Sequence, residues 1–218
     1  MPRIIETEVI TDQTSVDAYT LMTKQPPNLV STFLIPTLLT NQAALKIADI
    51  GCGPCGYHQE LYSVYPNATI DAYEASMPML VEAANLINPQ KTNLVQAFLP
   101  DYQLPQAQYD IVWASIFLHQ LPDAAIAWNA IKQLGKPGAS FIVFDLIRVE
   151  DETTCWDIVN GFTPDAPQAF KQDFFNSLRA SFIVSEVEQQ LATAGLTATI
   201  ETQEVFSNCS VITIRGTL

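Results

Sequence analysis

The sequence predicts an α/β protein built on a doubly wound, mostly parallel sheet with helices on both faces. Three observations predict it. Short apolar runs of strand length alternate with segments of helical period along most of the 218 residues. A glycine-rich turn, Gly51-Cys52-Gly53-Pro54-Cys55-Gly56, joins the first such run to a helix. The chain then closes on two apolar runs joined by Phe206-Ser207-Asn208-Cys209, which reads as an antiparallel hairpin added to the parallel sheet.

The elements follow in order. After a break at Pro26-Pro27, a helix is expected from Asn28 to about Leu39, bent at Pro36, which has no N–H to donate. Leu45–Ile50 reads as the first strand. Tyr57, Leu61 and Tyr65 then fall at helical spacing until Pro66 stops the helix. Thr69–Tyr73 is the second strand and ends at Glu74. Ser76 caps the next helix, Pro78 sits in its first turn, and Leu80, Ala83, Ala84 and Ile87 form one buried stripe. Further strands are expected at Leu94–Phe98, Tyr109–Ala114 and Ser140–Leu146. A helix with Ala124, Ala127, Trp128, Ile131 and Leu134 on one face separates the last two. Ser185-Glu186-Val187-Glu188 reads as a capping box, with Val184, Val187, Leu191 and Ala194 inward and Gly195 as the stop. Thr197–Val205 and Ser210–Arg215 make the hairpin.

Composition narrows the class. With 48% hydrophobic residues, no internal repeat and no linker-like stretch, residues 1–218 are expected to form one domain. The longest apolar runs, such as Ala139–Ile147, are too short to span a membrane and are broken by Asp145. The N-terminus lacks an apolar h-region, so a cytoplasmic location is expected. Twenty-three acids against ten scattered bases give a formal charge of −13, which repels a phosphate backbone and argues against nucleic acid. The expected partner is a small molecule, with the chain a monomer or homodimer. Cys52 and Cys55 have redox-pair spacing, but glycines flank them, and Cys155 and Cys209 form no second pair for zinc; no metal is expected.

The glycine turn gains meaning from its context. Gly51, Gly53 and Gly56 follow a strand and open a helix, and Glu74 lies 18 residues after Gly56, where a carboxylate can accept both ribose hydroxyls of a nucleoside. Asp49, two residues before the first glycine, is unwelcome beside a pyrophosphate but suits a ligand with ammonium and sulfonium centres.

Beyond the turn, Lys46–Pro54, Tyr73–Leu80, Tyr109–Ser115, Phe117-Leu118-His119-Gln120-Leu121-Pro122-Asp123 and Lys136-Pro137-Gly138-Ala139 complete a set. Together these motifs resemble those of the class I methyltransferases dependent on S-adenosylmethionine (SAM), and the likeness covers nearly the whole chain. The resemblance implies a Rossmann-like seven-stranded sheet with an antiparallel last strand, and SAM across the glycine turn. On that resemblance the cofactor residues are Asp49, Gly51, Cys52, Gly53, Gly56, Glu74, Ala75, Met79, Ala114 and Ser115. The family's Asp after the third strand is replaced by Ala97-Phe98-Leu99, so Phe98 and Leu99 are expected to pack on adenine, with Asp101 three residues late. The implied activity is methyl transfer to a small-molecule oxygen, hydroxyl or carboxylate, leaving S-adenosylhomocysteine. A SAM-binding sensor or partner subunit without catalysis is the alternative, and an NAD(P)-dependent oxidoreductase is less favoured.

On the acceptor side, His119 follows the fourth strand and is either a general base or a packed core residue, whereas His58 reads as structural. No Asn-Pro-Pro-Phe/Tyr segment follows that strand and no Pro-Cys nucleophile is present, which argues against adenine, amide or cytosine acceptors. Residues 1–44 form the expected lid, with Tyr19 closing over SAM, and 149–181 an aromatic cap that carries Trp156, Phe162, Phe170, Phe174 and Phe175. Arg148 and Arg179 are expected either to pair on an acceptor carboxylate or to bond neighbouring acids.

Overall fold

A computed structural model describes residues 1–6, 9–23 and 28–218; the Pro26-Pro27 break lies outside them. The strands are β1 Lys46–Ile50, β2 Thr69–Glu74, β3 Thr92–Gln96, β4 Tyr109–Ser115, β5 Gly135–Leu146, β6 Ala198–Phe206 and β7 Cys209–Thr217. The helices are α1 Gln13–Thr23, α2 His58–Val64, α3 Met77–Leu86, α4 Ala125–Leu134, α5 Glu152–Phe162, α6 Gln168–Ala180 and α7 Val184–Ala194. The sheet has the order β3-β2-β1-β4-β5-β7-β6, and β7 alone runs antiparallel to its neighbours, as expected.

Strand alternation divides the core. Ile47 and Trp113 face the layer of α2, α5 and α6, whereas Ala48, Ile50 and Val112 face α4 and α7. No described helix is long and apolar enough to cross a membrane.

Several local expectations shift. The segment from Asn28 to Leu39 is not a bent α-helix but a π turn, Val30–Leu34, running into a 3-10 turn, Ile35–Thr37. Pro36 lacks the N–H for an α-helical bond, and the chain leaves helical geometry at Leu38, where ψ is 143°. β3 lies two residues earlier than expected, because Thr92 pairs with Ile70 and Gln96 with Glu74, which frees Phe98 from the ladder. β5 starts at Gly135, and its register breaks between Gly135 and Ser140, where Gly138 adopts φ +82°. The capping residue of α7 is Ile183 rather than Ser185: Glu186, at N3, accepts its N–H at 3.1 Å, and the apolar Ile183 side chain supplies no return bond. Gly195 ends α7 in the left-handed conformation, as expected.

Trp128 anchors the α4 layer. It is 1% exposed, lies edge-on to Phe141 with ring centroids 6.5 Å apart, and donates its indole N–H to Gln190 at 3.3 Å. Trp128→Ala is expected to lower the unfolding free energy by about 3–5 kcal/mol, through lost contacts and the cavity left behind. Urea unfolding read by circular dichroism checks this, with the midpoint falling and the slope unchanged.

Candidate functional site

Strand order reverses between β1 and β4, and a crevice opens there beyond the carboxyl ends of the strands. It has two adjoining halves that share Ile10, Tyr19, Gly51, Gly53, Ile116 and Gln120. The first half continues over Glu74, Ala75, Met79, Phe98 and Leu99. The second continues over Cys52, Gly56, Ser115, His119 and the aromatic faces of α5 and α6.

The glycine turn shapes the floor. The N–H groups of Gly51 and Cys52 both donate to the Tyr73 carbonyl, at 2.8 and 3.1 Å, and Gly51 holds φ +69°. A Cβ on Gly51 would stand 2.2 Å from the Phe117 ring, so packing as well as conformation excludes a side chain. Gly53, at φ +53°, has only the Tyr19 ring near its Cβ position, at 3.8 Å, and donates its N–H to Glu74 Oε2 at 3.0 Å. The other Glu74 oxygen accepts from the Ser76 N–H at 2.8 Å. Burial raises the Glu74 carboxyl above its usual range, and the Ser76 and Gly53 hydrogen bonds partly oppose the rise.

Asp49 is displaced from its expected role. It is fully buried under the turn, where one oxygen meets the Tyr57 hydroxyl and His58 Nε2, each at 2.7 Å, and it does not line the crevice. Tyr57, which does line the crevice, and the fully buried His58 both bond Asp49. Burial opposes charge on His58, but hydrogen bonds to Asp49 and Cys55 and their negative charge lift it to about 10. Cys52 and Cys55 are free buried thiols within one turn, closed by Cys55 N–H to the Cys52 carbonyl at 3.0 Å. Ala114 is likewise buried within β4, behind Ser115, and off the crevice wall.

Deep in the second half, His119 is fully buried in a 3-10 turn, Leu118–Gln120. Asp145, at the end of β5, accepts the His119 backbone N–H at 3.0 Å and sits 2.6 Å from His119 Nδ1. Nε2 has no partner. Burial opposes charge on His119, but the Asp145 charge and hydrogen bond outweigh it and raise the imidazole above its ordinary value. Arg3 secures the same turn from outside, donating to the carbonyls of His119 at 2.9 Å and Leu121 at 2.7 Å while lying over the Phe182 ring.

The expected acceptor residues separate. Tyr19 lines both halves, and Phe162, Phe170 and Phe174 line the second. Trp156 does not reach the crevice, because it stacks on Phe175 with centroids 4.4 Å apart. Arg148 is committed to both oxygens of Glu186, at 3.0 and 2.7 Å, and Arg179 to Glu152 at 3.1 Å, so neither reaches the crevice and the carboxylate-clamp reading is corrected to local ion pairs. The sequence reading missed Glu6, Ile10, Gln120 and Asp173 as wall residues and Asp145 as the partner of His119. Asp145 had a signal, as the lone acid in an apolar strand; the N-terminal residues had none.

Known proteins resemble the chain at two levels. Residues 48–143 match a family model described as a methyltransferase domain. An uncharacterized methyltransferase of Synechocystis sp. is 30% identical over 105 residues, 47% of this chain, and the match spans about half, 48%, of that protein. A SAM-dependent methyltransferase from Aquifex aeolicus shares the fold with a TM-score of 0.64, at 15% identity over 94% of this chain and 98% of that one. Phosphoethanolamine N-methyltransferase 2 of Haemonchus contortus, solved with S-adenosyl-L-methionine, does so with a TM-score of 0.70, at 12% identity over 94% of this chain and 57% of that one.

The buried pair beneath the turn sets a pH signature. His58 is raised from 6.5 to about 10, so its stabilisation is complete below pH 6.5 and is lost as pH rises through about 10. His58→Gln is expected to reduce the unfolding free energy by about 3–5 kcal/mol in mildly acid solution, where it leaves Asp49 without its charged partner. The deficit should shrink towards pH 10. Urea titrations of both proteins across this range check the sign, and a deficit that grows with pH would contradict the pairing.

Proposed function

We propose, on the match of residues 48–143 to a methyltransferase-domain model, that the chain transfers a methyl group from SAM to a hydroxyl of a small, largely apolar acceptor. One observation carries the reading: a single crevice runs from the Glu74 carboxylate at one end to the unpartnered Nε2 of His119 at the other. Its residues fit the cofactor. The open face of Gly53 leaves room for a ligand, Glu74 offers a buried carboxylate to a ribose, and Phe98 and Leu99 supply apolar surface for a purine. Asp101 does not line this half. When bound, SAM supplies an electrophilic methyl group on a sulfonium centre.

The chain's own residues do the rest. Asp145 holds the proton of His119 on Nδ1, which leaves Nε2 as the acceptor for the hydroxyl proton as the new oxygen–carbon bond forms. Phe162, Phe170 and Phe174 keep water from the reacting oxygen, and Tyr19 covers both halves. In this reading residues 1–44 serve as lid and 149–181 as cap. The acidic wall formed by Glu6 and Asp173 disfavours a carboxylate acceptor.

Calorimetry is expected to show SAM and S-adenosylhomocysteine binding and NAD failing to bind. Glu74→Ala should weaken SAM by roughly ten- to a hundredfold, the loss of hydrogen bonds to a charged group. Unchanged SAM affinity in that variant would remove Glu74 from the site.

His119→Asn should lower kcat by about a hundredfold or more with little change in SAM affinity. Wild-type turnover should rise with pH through a midpoint above 6.5, the ordinary histidine value, because only neutral His119 accepts a proton. Asp145→Asn should move that midpoint down. Wild-type turnover in His119→Asn would make the residue a packing group.

A further inference from the structure

Two carboxylates line the second half of the crevice, which they share with His119. Among its described lining residues, Glu6 and Asp173 are acidic and none is lysine or arginine. Neither acid forms a salt bridge among the described residues. Glu6 keeps one hydrogen bond, from the Ser177 hydroxyl at 3.2 Å. Both acids also line an outer groove with Asp12, Asn176 and Arg179, so they stand where the crevice opens, and Arg179 there is paired with Glu152 rather than with either of them.

The other end differs. His119 is fully buried, and among the described residues its Nε2 has no hydrogen-bond partner although the residue lines the cavity. Leu146, Phe170 and Phe174 line the same half with apolar surface. The walls thus present two acids at the mouth, an apolar throat and one hydrogen-bonding nitrogen at depth. Carboxylates removed from water without a cation are unfavourable, and a ligand bearing positive charge relieves that cost as it binds. Burial already raises both carboxyls.

From this arrangement we infer that the acceptor carries a protonated amine, seated between Glu6 and Asp173, on an apolar body whose hydroxyl reaches His119. The inference rests on the methyltransferase reading above and adds the charge and polarity of the substrate. It makes the amine an anchor; the methylated atom is the oxygen beside His119.

The test uses three probes on one skeleton: a hydroxyphenylethylammonium, its neutral N-acetyl amide and the corresponding hydroxyphenylpropionate. Each is titrated calorimetrically at neutral pH into protein saturated with S-adenosylhomocysteine. The ammonium is expected to bind about tenfold or more tightly than the amide, with the carboxylate weakest. Glu6→Gln and Asp173→Asn should each cut the ammonium's advantage severalfold, and the double variant should abolish it, with thermal unfolding confirming folded protein. Equal or tighter binding of the amide or carboxylate, no binding by any probe, or an advantage that survives the double variant would overturn the inference and leave the methyltransferase reading standing. Failure of S-adenosylhomocysteine itself to bind would overturn both.

Discussion

Asp145 is the constraint on which the second half of the crevice depends. An acid that is 2% exposed at the end of an apolar strand must find donors, and it finds three: the His119 backbone, the His119 ring and the Leu146 N–H at 2.7 Å. Those bonds tie the turn after β4 to the tip of β5 and fix the imidazole edge that remains free. Truncating Asp145 would leave the ring able to turn and a buried N–H unpaired. Arg3 braces the same turn through its carbonyls, so backbone and side chain are held from opposite sides.

Much of the fold was legible because period and punctuation agree. The apolar run before Gly51, the glycines themselves and the Ser76 cap each specify one local geometry, and the structure shows each; Ser76 Oγ accepts the Met79 N–H at 3.3 Å. The misses have local causes. A polar residue three ahead of a glutamate looks like a cap, but α7 starts at Ile183 because the Glu186 carboxylate, shared with Arg148, closes its first turn. Strand ends follow the partner strand rather than the run of apolar residues, which is why β3 stops at Gln96.

The site was legible where it lies close in sequence and opaque where it is assembled over distance. Gly51, Gly53 and Glu74 fall within one βαβ unit, so their spacing carries their geometry. Glu6 and Asp173 converge across 167 positions, and no local pattern marks either. The arginines mislead for a related reason. In so acidic a chain each finds a glutamate within reach, and Arg148, with a side chain only 6% exposed, is held by both oxygens of Glu186. Asp49 shows the same effect in reverse: the acid is where the spacing puts it, but it is fully buried and bonded to Tyr57 and His58, a few residues on, rather than open to the crevice.

The position of Ile10 and Tyr19 bears on kinetic order. Both residues border both halves of the crevice, and Ile10 is pinned by its carbonyl to the Ser76 hydroxyl at 2.5 Å, at the start of α3. The two halves of the crevice therefore share one roof. In the methyltransferase reading proposed above, displacing that roof to admit the nucleoside also uncovers the other half, and lowering it encloses both, so departure of the spent nucleoside and entry of the next acceptor become one joint event.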